Sequence, residues 1–271
     1  VIITAAGGWW LAPSRVDWRQ GLIAVMGTTI TVGAANSLNN YLERESDKFM
    51  ARTQNRPLPK GRLSPKIALV FGLFLSAISI PMLTLFSNPL SGLLAGIALV
   101  FYVMIYTPLK RKSSFNTLVG AIPGAMPPLI GWTAATYSID WGGIVLFALL
   151  FLWQIPHSLA ITIYREKEYK SAGIVVLPSV QGLHSTRFQM LFYTVALLPI
   201  PPLLFLTGVS GWATLTLGTA VGLWWAYKAW FGFAKEGKEK WARKFFLASL
   251  VYLSIFFVLI TVDKIIAGYV L

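Results

Sequence analysis

The sequence predicts an all-α membrane protein, a nine-helix transmembrane bundle with its first helix truncated, arranged around a central cavity. Three observations predict it. The 271 residues are 56% hydrophobic and only 12% charged, against roughly 25% charged in an average soluble domain. Apolar runs of the length needed to span a bilayer, about 20 residues, recur along the whole chain and lack the period-two alternation of a β-barrel. The basic residues fall on alternate loops, as the positive-inside rule requires.

Taken in order, Val1 to Leu11 is apolar but too short to span, and is expected to be the end of a helix that begins before Val1. Full spans are expected near 20–41, 65–87, 90–108, 115–136, 141–164, 185–208, 211–233 and 243–265. No stretch remains for a soluble domain, so residues 1–271 read as one polytopic unit. Of the 23 Lys and Arg residues, 20 lie in 41–66, 108–114, 164–187 and 228–244; only Arg15, Arg19 and Lys264 lie elsewhere. The rich loops are therefore expected on the cytoplasmic side, and the net charge of +13 reflects topology rather than nucleic-acid binding. The absence of cysteine excludes disulfides and thiolate chemistry, and two histidines cannot build a multi-His metal site. Trp9, Trp10, Trp141 and Trp241 are expected in interfacial belts, while other aromatics could shield a carbocation inside the cavity.

Seven of the ten acids share the basic loops: Glu43, Glu45, Asp47, Glu166, Glu168, Glu236 and Glu239. The positive-inside rule is indifferent to acids, so these need another cause. Charge so close to hydrocarbon is costly and marks a functional site. Asn40, Glu43 and Asp47 follow an i, i+3, i+7 pattern that puts them on one helical stripe, with Glu45 pointing elsewhere. Hard oxygens in that arrangement suit Mg2+, which keeps few protein ligands and completes its shell with water and substrate phosphate. The alternative is a solvated helix end whose acids pair with Arg44 and Lys48; the apolar helix before it and the amides within it favour the metal site. Arg52 and Arg56 follow, with forked guanidinium groups matched to phosphate oxygens; as topology determinants they would contact lipid head groups instead.

Further along, Tyr106 to Lys112 contains three adjacent cations, and triplets of this kind commonly serve only to fix orientation. The next span carries Asn116 and the series Gly120, Pro123, Gly124, Pro127, Pro128 and Gly131, which allows close helix approach or a kinked cavity wall. His157, beside Pro156, sits about two turns from the basic side. It could bind a metalloporphyrin iron, move a proton or serve as a hydrogen-bonded structural residue. The acids of 164–169, four helices after the first cluster, are expected to face the same cavity.

Asn39-Asn40-Tyr41-Leu42-Glu43-Arg44-Glu45-Ser46-Asp47 with Arg52-Thr53-Gln54-Asn55-Arg56-Pro57-Leu58 resembles the first acidic motif of the UbiA superfamily of intramembrane prenyltransferases. Within it, the haem-farnesylating branch is the best match. Tyr106 to Arg111, Asn116-Thr117, Pro127 to Gly131, Trp153 to His157, Ala172 to Ile174, Leu177-Pro178 and Gly182 continue the likeness in order through nearly the whole chain. The chain departs from the family in having Glu43 and Glu45 where Asp is usual, Glu168 in place of Asp, and Ser46 in place of an apolar residue.

The resemblance implies transfer of a farnesyl group from farnesyl diphosphate to a vinyl group of haem B, with water completing the side chain of haem O. It implies Mg2+ as cofactor, held with the diphosphate by Asn40, Glu43, Asp47 and Glu168. Arg52, Arg56, Lys110 and Arg111 would grip phosphate, Asn39 and Tyr41 would add contacts, and His157 would touch haem. A bacterial plasma (inner) membrane is expected rather than a mitochondrial inner membrane, because no transit-like or extended soluble N-terminal region is visible, and the resemblance makes haem A synthase or oxidase assembly proteins the expected partners. Two alternatives stay open: a related enzyme acting on an aromatic quinone precursor, and a secondary transporter, whose polar groups should instead lie near the bilayer centre.

Overall fold

The computed structural model describes residues 1–13, 17–233 and 237–270; Arg15 and Glu236, two of the loop charges above, lie outside the described residues. The chain forms α1 (Ile2–Leu11), α2 (Trp18–Glu43) and α3 (Pro65–Phe86). These are followed by α4 (Pro89–Leu109), α5 (Asn116–Thr136) and α6 (Trp141–Tyr164). A short α7 (Glu166–Ser171) leads to α8 (Leu177–Leu206). Then come a π-helical turn at Thr214–Gly218 running into α9 (Thr219–Trp230), and α10 (Lys238–Val270). Seven helices are long and apolar enough to cross a membrane, which with the pattern of charged loops makes this a multi-pass membrane protein. The short α1 and the Thr214–Trp230 segment add to these in a way compatible with the nine-helix expectation. No strand occurs among the described residues.

Helix starts follow local chemistry. Pro65 and Pro89 occupy first-turn positions, where a missing N–H costs nothing. Asn88 caps α4 by accepting from the Ser91 amide, and Asp140 caps α6 by accepting from Gly142 and Gly143. At Gly182 the backbone swings to φ 79, which separates the first residues of α8 from its membrane-crossing part.

The Gly- and Pro-rich α5 is the hub, with 72% of its spanning window buried against 17% for α3. It packs on α1, α2, α4 and α6. Small residues make this possible: a Cβ on Gly8 would collide with the Pro128 carbonyl, and one on Gly131 with the Ala5 carbonyl. On the other side α6 packs against α8 and α10, where Trp132, Leu149, Trp225, Tyr252 and Phe256 form the main apolar core. Two neighbouring charges on α10 tie this half together. The Asp263 carboxylate accepts from the Thr214 amide at 2.7 Å, and Lys264 donates to the Leu11 and Ala12 carbonyls at 3.3 and 3.2 Å. Each satisfies helix-end groups that lipid cannot.

Trp10 and Trp141 are exposed as the belt expectation requires, but Trp241 is not: it is buried against Phe245 and donates to the Lys228 carbonyl at 3.2 Å. Gly232, where a Cβ would touch the indole, covers it closely, and the Lys228 carbonyl gives it a partner.

Replacing Gly131 with Ala should force α1 off α5 and lower stability by about 1–3 kcal/mol, the usual scale of overpacking. Gly33→Ala, whose Cβ would meet only Leu75 at 3.6 Å, should stay within about 0.5 kcal/mol. Thermal unfolding of the detergent-solubilised proteins measures the difference.

Candidate active site

A cavity of about 680 Å³ opens at the basic end of the bundle, between α2, α4, α5 and α6. Its mouth carries Asn39, Asn40, Glu43, Asp47, Arg52, Arg56 and Lys110, and its deeper wall carries Gly120, Gly124, Pro127 and the α6 face of Gln154, Ser158 and Thr162.

Glu43 is the last residue of α2, where the exposed carbonyls already make the environment negative. Its carboxylate is held by Lys110 Nζ at 2.9 Å and by the Asn39 side-chain amide at 2.8 Å. The helix stops there. Asp47 comes from the following 3-10 turn, Ser46–Phe49, so the single helical stripe predicted for Asn40, Glu43 and Asp47 is broken. Asp47 still faces the cavity, with its side chain only 5% exposed, and accepts from Arg56 Nη1 at 2.8 Å. The same nitrogen donates to Asn40 Oδ1 at 2.8 Å. Arg56 arrives by a loop fixed at Thr53, whose hydroxyl donates to the Asp47 carbonyl at 3.0 Å.

Lys110 arrives by a different route. Residues Phe101–Tyr106 form a π-helical turn at the end of α4, a widening common at functional sites. Pro108 lacks an amide to close the regular ladder, and the Thr107 hydroxyl bonds back to the Tyr102 carbonyl at 2.8 Å and across to Asn39 Oδ1 at 2.9 Å. This orients Lys110, whose ammonium lies 4.4 Å from the Tyr106 ring centre and 3.4 Å from Asn39 Oδ1. Two pairs of hard oxygens thus converge on single positive centres: Asn40 and Asp47 on Arg56, Asn39 and Glu43 on Lys110. That donor chemistry fits Mg2+, which takes oxygen ligands and needs few from protein when phosphate supplies the rest. No group of three Asp, Glu, His or Cys able to hold a metal occurs among the described residues.

The other predicted residues are placed as follows. Arg52 lines the cavity and makes no hydrogen bond or ion pair among the described residues. Arg111 donates to Ser46 at 3.0 Å, outside the cavity lining. Tyr41 lies under the Arg44 guanidinium at 4.8 Å, and exposed Glu45 pairs with Lys48 at 2.7 Å, which holds its carboxyl below the usual range. Glu168 pairs with Arg165 at 3.2 Å at the rim, and its neighbour Tyr169 reaches the cavity instead. Burial pushes the Tyr169 phenol above its ordinary range, against the pull of Arg52, Lys110 and Arg165, so it stays a neutral donor. His157 does not line the cavity; Nδ1 pairs with the Ser249 hydroxyl at 2.7 Å, and the ring is packed by Trp153 and Phe246. Thr107, Asn36 and Ser158 were not predicted. A polar residue on the cavity face one or two turns inside the charged cluster was the only signal for the last two.

The family model for the UbiA prenyltransferase family matches residues 1–250. The chain belongs to this family. Among curated UbiA relatives it is 46% identical to protoheme IX farnesyltransferase of Myxococcus xanthus, over 98% of this chain and 90% of that protein. It is 44% identical to the protein of the same name from Anaeromyxobacter dehalogenans, over 97% and 89%. Solved structures share the fold. A structure concerned with digeranylgeranylglyceryl phosphate synthase superposes with a TM-score of 0.83 at 18% identity, covering 97% of this chain and 92% of that one. The UbiA homologue of Archaeoglobus fulgidus, described as bound to GPP and Mg2+, gives 0.67 at 12% identity, covering 96% and 94%.

Arg56 holds two partners and Arg52 none, so ligand-free stability should separate them. Arg56→Gln should cost about 1.5–3 kcal/mol, the scale of hydrogen bonds to charged groups, whereas Arg52→Gln should stay within about 0.5 kcal/mol. Thermal unfolding without substrate or Mg2+ tests both.

Proposed function

We propose that this chain transfers the farnesyl group of farnesyl diphosphate to a vinyl group of haem B, giving haem O. The observation that carries the reading is a chamber whose mouth concentrates carboxylates, amides and surplus cations while its depth is largely apolar. The identity to named protoheme IX farnesyltransferases over nearly the whole chain supports the acceptor.

In this reading Asn39, Asn40, Glu43 and Asp47 hold Mg2+ and the diphosphate, joined by Glu168 from the rim. When bound, Mg2+ supplies charge neutralisation for the departing diphosphate. Arg52 is free to bind phosphate without giving up a protein partner, and Arg56 and Lys110 add charge that strengthens as the leaving group separates. Arg111 and Tyr41 support that rim from behind, and His157, outside the cavity lining, would act on the acceptor side only through the helix it shares with Gln154 and Ser158. Tyr106 and Tyr169 face the chamber and present π surface and hydroxyls to it. The C1–O bond of the prenyl donor breaks as diphosphate leaves. The vinyl carbon of haem attacks C1, the positive charge moves to the carbon next to the porphyrin, and water closes it to a hydroxyl. Low water content protects the first cation.

The basic loops belong to the cytoplasmic face of a bacterial inner membrane, where a water-soluble diphosphate enters and leaves. Haem A synthase or oxidase assembly proteins are the partners that would receive the product.

Purified protein in lipid, given haem B, farnesyl diphosphate and Mg2+, should yield a new, more hydrophobic haem on chromatography; prenylation of an aromatic acid with haem untouched would replace this acceptor. Glu43→Ala and Asp47→Ala should each lower turnover at least about 100-fold, as loss of a preorganised charge at a leaving group does, while inserting normally. Inorganic diphosphate with Mg2+ should raise the melting temperature of the wild type and not of Asp47→Ala. Equal shifts would remove Asp47 from the metal site.

A further inference from the structure

Below the charged mouth the chamber is not uniformly apolar. Gln154, Ser158 and Thr162 stand at i, i+4 and i+8 on α6, so one helix face carries an amide and two hydroxyls into the cavity. Two of the three already have a bond. Gln154 donates to the Ala121 carbonyl at 2.7 Å, and the Thr162 hydroxyl donates to the Leu159 carbonyl at 2.8 Å while its lone pairs stay available. Ser158 has no hydrogen-bond partner among the described residues although it lines the cavity. In a helix, serine ordinarily bonds back to a carbonyl one turn earlier, as Thr31, Ser76 and Thr194 do here. A free hydroxyl in this position is available to something inside the chamber.

Depth narrows what that is. Ser158 lies six residues before the end of α6 at Tyr164, about 9 Å along the axis at ~1.5 Å per residue. Asn36 on α2 is a second cavity-lining side chain with no hydrogen bond among the described residues. It sits seven residues before Glu43, about 10 Å in by the same rise. Both therefore lie about one and a half to two turns in from the basic ends of their own helices, which in the haem-farnesylating reading is the level where the prenyl chain meets its acceptor. Neither carries charge, so neither would quench the allylic cation as a nucleophilic carboxylate could.

The proposed reaction poses a conflict at this depth. The allylic cation must not meet water, yet the cation it leaves on the acceptor must gain one. Bulk access would satisfy only the second need. A single fixed water, placed where the acceptor cation forms and away from C1, satisfies both.

We propose that Ser158, with Asn36 across the chamber and Thr162 one turn nearer the mouth, holds and orients the water that hydrates the acceptor cation. The proposal rests on the haem-farnesylating reading above. The water oxygen gives an electron pair to the cationic carbon next to the porphyrin and forms the C–O bond. The extra proton leaves the resulting oxonium through the Ser158 and Thr162 hydroxyls toward the mouth, where the released diphosphate accepts it. Overall, prenyl diphosphate, haem and water give hydroxylated prenyl haem and protonated diphosphate. Without a placed water, the acceptor cation can discharge only by losing a neighbouring proton, which leaves an alkene one water lighter. Ser158 is thus a positioning residue, acting through the water it holds.

The experiment is mass spectrometry of haem products from wild type, Ser158→Ala, Ser158→Thr and Asn36→Leu, each with haem B, farnesyl diphosphate and Mg2+ in lipid. Ser158→Ala should shift the ratio of hydroxylated to dehydrated product about tenfold toward the dehydrated one, the factor carried by one lost hydrogen bond. Consumption of farnesyl diphosphate should fall much less. Ser158→Thr should restore the wild-type ratio, and Asn36→Leu should shift it in the same direction as Ser158→Ala. An unchanged ratio in Ser158→Ala overturns the proposal, as does a rise in the KM for haem with no change in product. If the wild type prenylates no haem at all, it is the underlying functional reading that fails, so the two failures are told apart.

Discussion

The arrangement of the mouth depends on neutralising two carboxylates that the chain places where they are least welcome. Glu43 ends α2, at the negative pole of a long helix, and Asp47 is almost wholly buried one turn later. Their cations come from separate connections, Arg56 from the loop after Asp47 and Lys110 from the end of α4. Each ion pair therefore fixes a loop as well as a charge. A buried pair of this kind gives little net stability, because desolvation offsets the attraction. Its value is positional: it brings Arg52, Arg56 and Lys110 over one opening and leaves Arg52 free to meet an anion.

Chamber shape has a different origin, in α5. A residue of ordinary size at Gly120 would meet the Tyr106 ring, and one at Gly124 would meet the Gln154 amide. The glycines let a wall from α4 and another from α6 lean across α5, which puts an aromatic face and an amide on the cavity. Proline adds to the effect by removing donors whose loss can be tolerated only inside protein. The same composition makes α5 the least lipid-like of the seven spans, consistent with its burial against α1, α2, α4 and α6.

Most of the architecture was legible because hydrophobic length and loop charge are set by the bilayer and not by tertiary detail. Spans expected at 115–136 and 141–164 are the helices Asn116–Thr136 and Trp141–Tyr164. The site was legible as a cluster and not as a geometry. Glu43, Asp47, Arg56 and Lys110 stood out as charges beside hydrocarbon, but the helix break after Glu43 moves Asp47 off the stripe and makes Asn39 the amide that bonds Glu43. Thr107 was hidden because its role arises from the π turn, which no periodicity reveals. On the short α7, whether Glu168 or Tyr169 faces the cavity depends on how that helix is set after α6, and this angle is not written in local sequence.

The one-sided distribution of charge also separates an enzyme from a transporter. Among the described cavity-lining side chains, the ionisable acids and bases are Glu43, Asp47, Arg52, Arg56 and Lys110, together with the tyrosines, and the charged ones all belong to the basic end. Asp263 and Lys264, from the opposite end, are used to cap the π-helical turn before α9 and the end of α1. A carrier that releases an ion or polar solute on both sides needs charged or carbonyl ligands near the bilayer centre. Here the polar side chains that line the chamber away from the mouth, Asn36, Gln154, Ser158 and Thr162 among them, are uncharged hydroxyls and amides. A polar head can therefore enter and leave only by the mouth it came from, while an apolar chain reaches inward from it, which is the geometry of a reaction that cleaves head from chain.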